Sequence, residues 1–359
     1  SATVGYFPNL MKPAGSTSTT GTFIAPAFVQ YEADIFLKNR DKTRSAKKAW
    51  EGSKFDERGA YISVVSAVGV TYLNLVRLDK VIALQEEIVK NRKEIYELML
   101  LRHNEGITST SDTVKANKAY VSGSTDLIEL KKQREKVLNQ LCVLIGESPE
   151  NASTLTRTSL DDLKYTGQIP EEIASEIIVQ RPDYLKAEKM VEKAGIDVRV
   201  AKKEFLPSII LSGALLFNSN QFGSLFTTKD MIGALGGGIL LPIFTGGLRI
   251  ANLRYQKAEY ERILQNYYKT NLVAIQEVND SLVSIKMDEE KFNETKNQIS
   301  LEKAEYGFNE QRYSQGVISR LDLIQVKENL LVINKLLTNN KVECMVDYIE
   351  LYKAVGSKL

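Results

Sequence analysis

Apolar residues recur at every seventh position over most of the chain, on a background of Lys, Glu, Asn and Ser. One register runs Val68, Leu75, Ile82, Val89, Tyr96 and His103; another runs Val278, Ile285, Phe292, Ile299, Tyr306 and Tyr313. Adding 210 to each position of the first gives the second, so the chain carries an internal duplication. Both registers resume after a short break, through Tyr120, Leu127 and Leu141 in the first copy and Leu323, Leu330, Leu337, Cys344 and Leu351 in the second. A seven-residue stripe advances about 3.5 residues per turn, which predicts helices wound left-handedly about neighbours. Gly247 to Ser314 contains no proline and can run as one helix of about 100 Å at 1.5 Å per residue, which suggests an elongated assembly.

The two breaks are themselves copies. Arg102 to Asp112 reads RHNEGITSTSD and Arg312 to Asp322 reads RYSQGVISRLD. Gly106 and Gly316 are placed to close a helix in the left-handed conformation, where a Cβ would be penalised. Ser109 and Ser319 are placed as N-caps, with Asp112 and Asp322 three positions on in the next helix's first turn. Connections this short return the second helix antiparallel beside the first.

Around the helices the pattern changes. Segments 6–36 and 205–246 mix aromatic, β-branched and glycine residues about turn-rich loops at Lys12 to Gly21 and Asn218 to Asp230, and predict two β-hairpins. Pro26 suits an edge or a bulge. The expected organisation is a first repeat over 1–150, with long helices about 37–146, and a linker over 151–180. A second repeat over 181–359 then has helices at 182–204, 247–314 and 319–355. The fold class is mainly α with a small β part. Four strands cannot close a barrel, and open edges in lipid would leave backbone groups unpaired. Strands that span a membrane must therefore be shared, and three chains supply about twelve.

Composition narrows the function. Lys plus Arg number 47 and Asp plus Glu 45, so nothing favours a polyanion or nucleic-acid partner. No nucleophile–base pair, phosphate loop or metal-ligand cluster can be assembled around the lone His103, so no enzyme, cofactor or metal site is expected. Cys142 and Cys344 are not equivalent in the repeat, and Cys344 on the apolar stripe reads as a small packed side chain. No run of 18 apolar residues occurs, so no transmembrane helix is expected, and no leader sequence is visible. The helix before the second hairpin has no counterpart before the first, so residues are expected to have been lost or removed from the front.

YEADIF at Tyr31 to Phe36, RPD at Arg181 to Asp183, FLPSI at Phe205 to Ile209, LPIFTGG at Leu241 to Gly247 and the paired RxxxGxxSxxxD turns together resemble the TolC-type outer membrane efflux proteins. Two of these motifs are similar to the branch serving resistance-nodulation-division pumps. The resemblance implies a homotrimer with a shared twelve-stranded transmembrane β-barrel in outer membrane lipid, continued into the periplasm by an α-barrel of antiparallel coiled helices. It implies a passive duct of a Gram-negative bacterium, not an enzyme, that docks to a periplasmic adaptor protein and an inner-membrane efflux transporter. By position, Asp322 lines the closed tip, and Tyr313 with Asp112 form a hydrogen-bonded latch between helix pairs. Ile318 replaces a latch arginine and Gln325 a second acid of the constriction. Three Asp322 copies about an axis would raise one another's pKa. The competing reading is a soluble coiled-coil scaffold or periplasmic adaptor, which leaves the hairpins without a purpose.

Overall fold

The computed structural model describes residues 5–8, 21–163, 175–219, 223, 226–228 and 231–356. Strands β1 (Gly5–Pro8) and β2 (Gly21–Ala33) lead into helix α1 (Lys38–Asn104) and helix α2 (Thr110–Ile145). Two short 3-10 turns follow, then α3 (Pro182–Lys203), β3 (Ser208–Ser219), β4 (Met231–Leu240), α4 (Leu248–Ser314) and α5 (Arg320–Ala354). The loop expected at Lys12 to Gly21 lies outside the described residues up to position 20, as do 164–174 of the linker and most of the loop before β4. Helices α1 and α4 each hold 67 residues and are offset by 210 at both ends, so the duplication in sequence is a duplication of elements.

Two compact units divide the chain, and each draws on both repeats. One combines Ser1–Ser53 with Lys186–Tyr268. It contains an antiparallel sheet in the order β1-β2-β3-β4, so within the chain β1 and β4 are its edges. Leu211 lies opposite Gly237, Gly213 opposite Leu235 and Leu215 opposite Gly233, placing large beside small along one face. Pro26 pairs with Leu216 beyond the short β1 ladder, where β2 has no described partner on its other side and a missing N–H costs little. All of β4 is exposed, with Leu235 at 95% and Ile239 at 72%. The YEADIF stretch starts α1: the Asp34 carboxylate accepts from the backbone N–H of Asn39 and of Arg40 at 2.9 and 2.8 Å, while Glu32 pairs with Lys38. Ion pairs Lys203–Asp41 and Lys48–Glu192 hold α3 against the start of α1.

The other unit combines Lys54–Leu185 with Lys269–Leu359. Its core follows the seven-residue stripes. Val278 and Ile285 of α4 pack with Leu351, Ala354 and Val355, and Leu75 of α1 packs with Leu138 and Leu141 of α2. An 18-residue window of α1 nevertheless reaches a mean hydropathy of 1.5, enough by length and composition to cross a membrane, which corrects the expectation drawn from unbroken apolar runs. The difference arises because Ser, Thr and Asn interrupt the runs without lowering the average much. Leu75 and Val76 of α1 lie in helix-packing clusters. Both cysteines are buried and free, and burial pushes the Cys344 thiol up to about 11, which leaves it protonated and inert.

Arg181 of the RPD motif fastens this unit. Its guanidinium is 7% exposed, donates to the Ala354 carbonyl at 2.6 Å and forms ion pairs with Asp183 and Glu277. Gly356, with φ of +72°, lets the chain after α5 pass so close that a Cβ there would lie 3.2 Å from the Arg181 Cα. Arg181→Leu should cost about 2 kcal/mol, because the carbonyl is stranded, and Arg181→Lys should recover only part of it without the planar fork. Thermal unfolding followed by helical circular dichroism measures both.

Asp347 of α5 and Asp288 of α4 share a recess with Glu343 of α5 and Arg77 of α1. Burial first, then the Asp288 carboxyl, pushes the Asp347 carboxyl up to about 7. The folded state thus keeps a proton that the unfolded chain releases near pH 4, so this contribution is complete below about pH 4 and disappears as pH rises through about 7. Stability should fall across that window, and Asp347→Asn should flatten the fall. Melting temperatures from about pH 4 to 8 test this, and an unaltered slope in the variant would assign the dependence to other groups.

Candidate functional site

The two helix turns are built alike. In the first, Gly106 has φ of +72°, its N–H donates to the His103 carbonyl at 2.9 Å, and the Ile107 N–H donates to the Arg102 carbonyl at 2.8 Å. In the second, Gly316 has φ of +74°, and the same bonds run from Gly316 to Tyr313 and from Val317 to Arg312 at 2.9 and 2.8 Å. This is the double bond of a Schellman closure, which needs a left-handed residue where the glycines stand. Ser109 and Ser319 then cap the outgoing helices, each accepting from the N–H of its aspartate at 3.1 and 3.2 Å. In the second turn the Asp322 carboxylate also accepts from the Ser319 N–H, completing a capping box.

Asp322 and Gln325 are both exposed at this turn. The Ser319 hydroxyl, then its backbone N–H and the charges of Arg102 and Arg312, hold the Asp322 carboxyl below the usual carboxylate range. Within the chain the shift is thus opposite to that expected of three copies facing an axis, because the cap donates to the ionised form. Ser109 does the same for Asp112, helped by Lys115. His103 bonds the Thr108 carbonyl through Nδ1 at 3.0 Å, and no metal-holding group occurs among the described residues.

The hydrogen bond expected between Tyr313 and Asp112 is not formed within the chain. Asp112 is engaged by Ser109 and Lys115, while the Tyr313 ring, 39% exposed, lies 5.9 Å from the guanidinium carbon of Arg320. That guanidinium forms a two-pronged bond to Glu94 of α1, at 2.7 and 3.3 Å. The apolar stripe accordingly ends in half-buried Tyr306 and exposed Tyr313, and an ion pair takes over at the turn.

Arg320–Glu94 is the last rung of a ladder between α1 and α5. Arg77 donates to Asn339 at 3.0 Å, Lys335 to Gln85 at 2.7 Å and Arg92 to Glu328 at 2.8 Å, and Lys327 lies 3.5 Å from Glu87. From Arg77 with Asn339 at one end to Glu94 with Arg320 at the other, α1 is followed up its numbering and α5 down, so the helices run antiparallel. Arg92 also reaches the Ala119 carbonyl of α2, and Gln85 the Gly123 carbonyl, so the ladder is tied to the first helix pair as well. Ile324 and Leu331, which alternate with these positions along α5, are buried. The stripe pattern misses these residues because it counts apolar positions. The signal that could have found them is where the two copies differ: Arg320 corresponds to Thr110, and Glu328 to Lys118.

Comparison with known proteins adds the family. The outer membrane efflux protein family matches residues 8–147 and 173–357. The chain is 27% identical over 351 residues to the probable efflux pump outer membrane protein TtgC of Pseudomonas putida, covering 97% of this chain and 72% of that protein. It is 24% identical over 349 residues to the cation efflux system protein CusC of Escherichia coli, covering 95% and 74%. Its fold matches the crystal structure of the Campylobacter jejuni CmeC outer membrane channel with a TM-score of 0.85 at 24% identity, over 99% of this chain and 77% of that one. With long helices turned at two duplicated capped turns and a four-stranded antiparallel sheet, the chain belongs to the outer membrane efflux protein family.

Proposed function

We propose that three copies of this chain form a passive exit duct, closed at the helix turns, that works with a periplasmic adaptor and an inner-membrane transporter. The observation that carries this is the sheet: four antiparallel strands whose outer strands pair with no further strand among the described residues, and an apolar strand β4 exposed along its whole length. Such a sheet is unsatisfied in water and in lipid alike until further copies close it. Relatives named for toluene, pyoverdine and cation export support a duct that leaves the choice of cargo to the pump. The soluble scaffold or adaptor is not favoured. Purified protein reconstituted in planar bilayers should give trimers that conduct ions, and inserted trimers without conductance would remove the duct.

The gate is proposed at the second turn. Asp322, whose cap holds its carboxyl below the usual carboxylate range, presents an ionised carboxylate at neutral pH, and Gln325 a neutral amide one helical turn on. The latch that Tyr313 was expected to share with Asp112 is carried instead by Arg320 and Glu94, with the Tyr313 ring beneath the guanidinium. Opening requires α5 to move along α1, and a polar seam permits this because each rung can exchange its partner for water.

Two outcomes test the gate. Asp322→Asn keeps a capping acceptor but removes charge, so it should lower cation preference or raise conductance by at least about twofold; unchanged values in an inserted trimer would take Asp322 out of the constriction. Arg320→Ala and Glu94→Ala should each increase the open fraction, and the double variant should open no further than either. The coupling expected of this half-exposed pair is about 0.5–1 kcal/mol. Strictly additive effects in bilayer recordings would show that the pair is not the latch.

A further inference from the structure

At three crossings between a strand and a helix the chain exposes large apolar side chains, all in the unit that holds the sheet. The connector from β2 to α1 exposes Ile35, Phe36 and Leu37, that from α3 to β3 exposes Phe205 and Leu206, and that from β4 to α4 exposes Leu241, Ile243 and Phe244. These are the YEADIF, FLPSI and LPIFTGG motifs, which the gate does not use. Ile243 and Phe244 are 88% and 91% exposed, so the rest of their unit holds neither.

The two copies differ here in ways that packing within the chain does not reward. Leu37 has φ of +57° and is, among the described residues, the only one other than glycine with a positive φ. Its counterpart 210 positions on is Gly247, at +83°. Glycine holds that turn without penalty, whereas leucine keeps a strained backbone and a side chain that stays 44% exposed. Asp34 caps α1, but its counterpart is Phe244, whose exposed ring accepts no such bond. In both cases an exposed apolar side chain stands where the other copy has a residue that serves the backbone.

On the helix side of each crossing the chain turns basic. Positions 38–48 hold Lys38, Arg40, Lys42, Arg44, Lys47 and Lys48 against Asp41 alone. Positions 199–204 hold Arg199, Lys202 and Lys203 against Glu204, and positions 249–257 hold Arg249, Arg254 and Lys257 with no acid. The whole chain nearly balances at +2, so this excess is local. Arg40, Lys42, Lys47, Lys202, Arg254 and Lys257 are exposed and form no ion pair among the described residues. Two clefts open among these elements. In one, of about 410 Å³, Lys38 and Arg249 stand beside Leu206 and Leu248; in the other, of about 530 Å³, Arg199, Lys202 and Lys257 stand beside Val198 and Tyr260. Each holds one acid, Glu204 or Glu261, so cations are in excess in both.

We propose that these helix ends and connectors form a collar that binds anionic phospholipid in the leaflet on the helix side of the membrane, with headgroup phosphates among the cations and acyl chains against the connectors. The family's sheet lies in the outer membrane, and β2 and β4 end at Ala33 and Leu240, only a few residues before α1 and α4 begin, so the collar sits where the membrane ends. Read outward from the strand, the order at all three crossings is apolar connector and then cations, which is the order of a lipid from its chains to its phosphate. A zwitterionic lipid would satisfy the connectors alone. The unpaired lysines and arginines favour a headgroup of net negative charge, and their long stems lie on apolar surface while the charge reaches the phosphate. The same face of a second copy would set cations against cations.

The collar rests on the membrane location and not on the gate, so its failure is separable from that of the duct. Given equal phosphatidylglycerol and phosphatidylcholine in neutral detergent, the protein should retain phosphatidylglycerol at least about fivefold over phosphatidylcholine by native mass spectrometry at low salt, and the preference should shrink as salt rises. Lys42→Gln, Lys47→Gln, Arg254→Gln and Lys257→Gln together should bring the two lipids to within about twofold, with unchanged helical circular dichroism. Ile243→Ser with Phe244→Ser should lower the retention of both lipids alike. Equal retention by the unaltered protein, or a full preference in the neutralised one, would overturn the collar. So would displacement of phosphatidylglycerol by inorganic phosphate at matched concentration, which would mark a site for free anions. A connector variant that loses trimers and keeps its lipid would give that face to a neighbouring copy and overturn the collar as well. Conducting trimers without lipid preference would overturn the collar alone, and inserted protein that selects lipid but never conducts would overturn the duct alone.

Discussion

A helix of 67 residues cannot keep its place by its own hydrogen bonds; it must lean on a neighbour along its length. In this protein that support has two characters. Within each helix pair it is apolar, as where Leu75 meets Leu138 and Leu141, and where Ile285 meets Leu351 and Val355. Between pairs, along α1 and α5, it is a ladder of ion pairs and amide bonds. The difference in character suits a difference in task. An apolar contact holds a pair together as one body, whereas a polar seam can be parted and rejoined with water as the intermediate partner.

The turns carry this division to its end point. Each closes by the same two backbone bonds and opens the next helix with a serine cap, so both present similar geometry. They differ in what surrounds them. Tyr313 lies under Arg320, which reaches back to Glu94, while His103 at the matching position bonds its own turn through Thr108. The second turn is therefore tethered to the other repeat and the first is not tethered in that way, an asymmetry that suits a gate in which one helix pair moves and the other stays.

Outside the helices, the sheet imposes a constraint of a different kind. Among the described residues the outer sides of β1 and β4 pair with no further strand, and no side chain can supply a partner along a whole strand. Closure by other copies meets that need, and membership of the outer membrane efflux family agrees with it.

Much of this was legible in the residues alone. Stripes at seven-residue spacing, glycines at 106 and 316 and serines at 109 and 319 mark where helices run, stop and restart, because those choices are local: a left-handed residue, a cap, a repeating face. The duplication by 210 is likewise a property of the string of residues, as is the need for several chains to share the strands. What only the tertiary structure decided is which polar side chains meet. Arg320 finds Glu94 across 226 positions, and Asp112 serves its own cap in preference to Tyr313, because such contacts depend on how two helices are rotated and set against each other. A stripe says that a helix has a buried side; it takes the packed neighbour to say whose charge lies at the edge of that side.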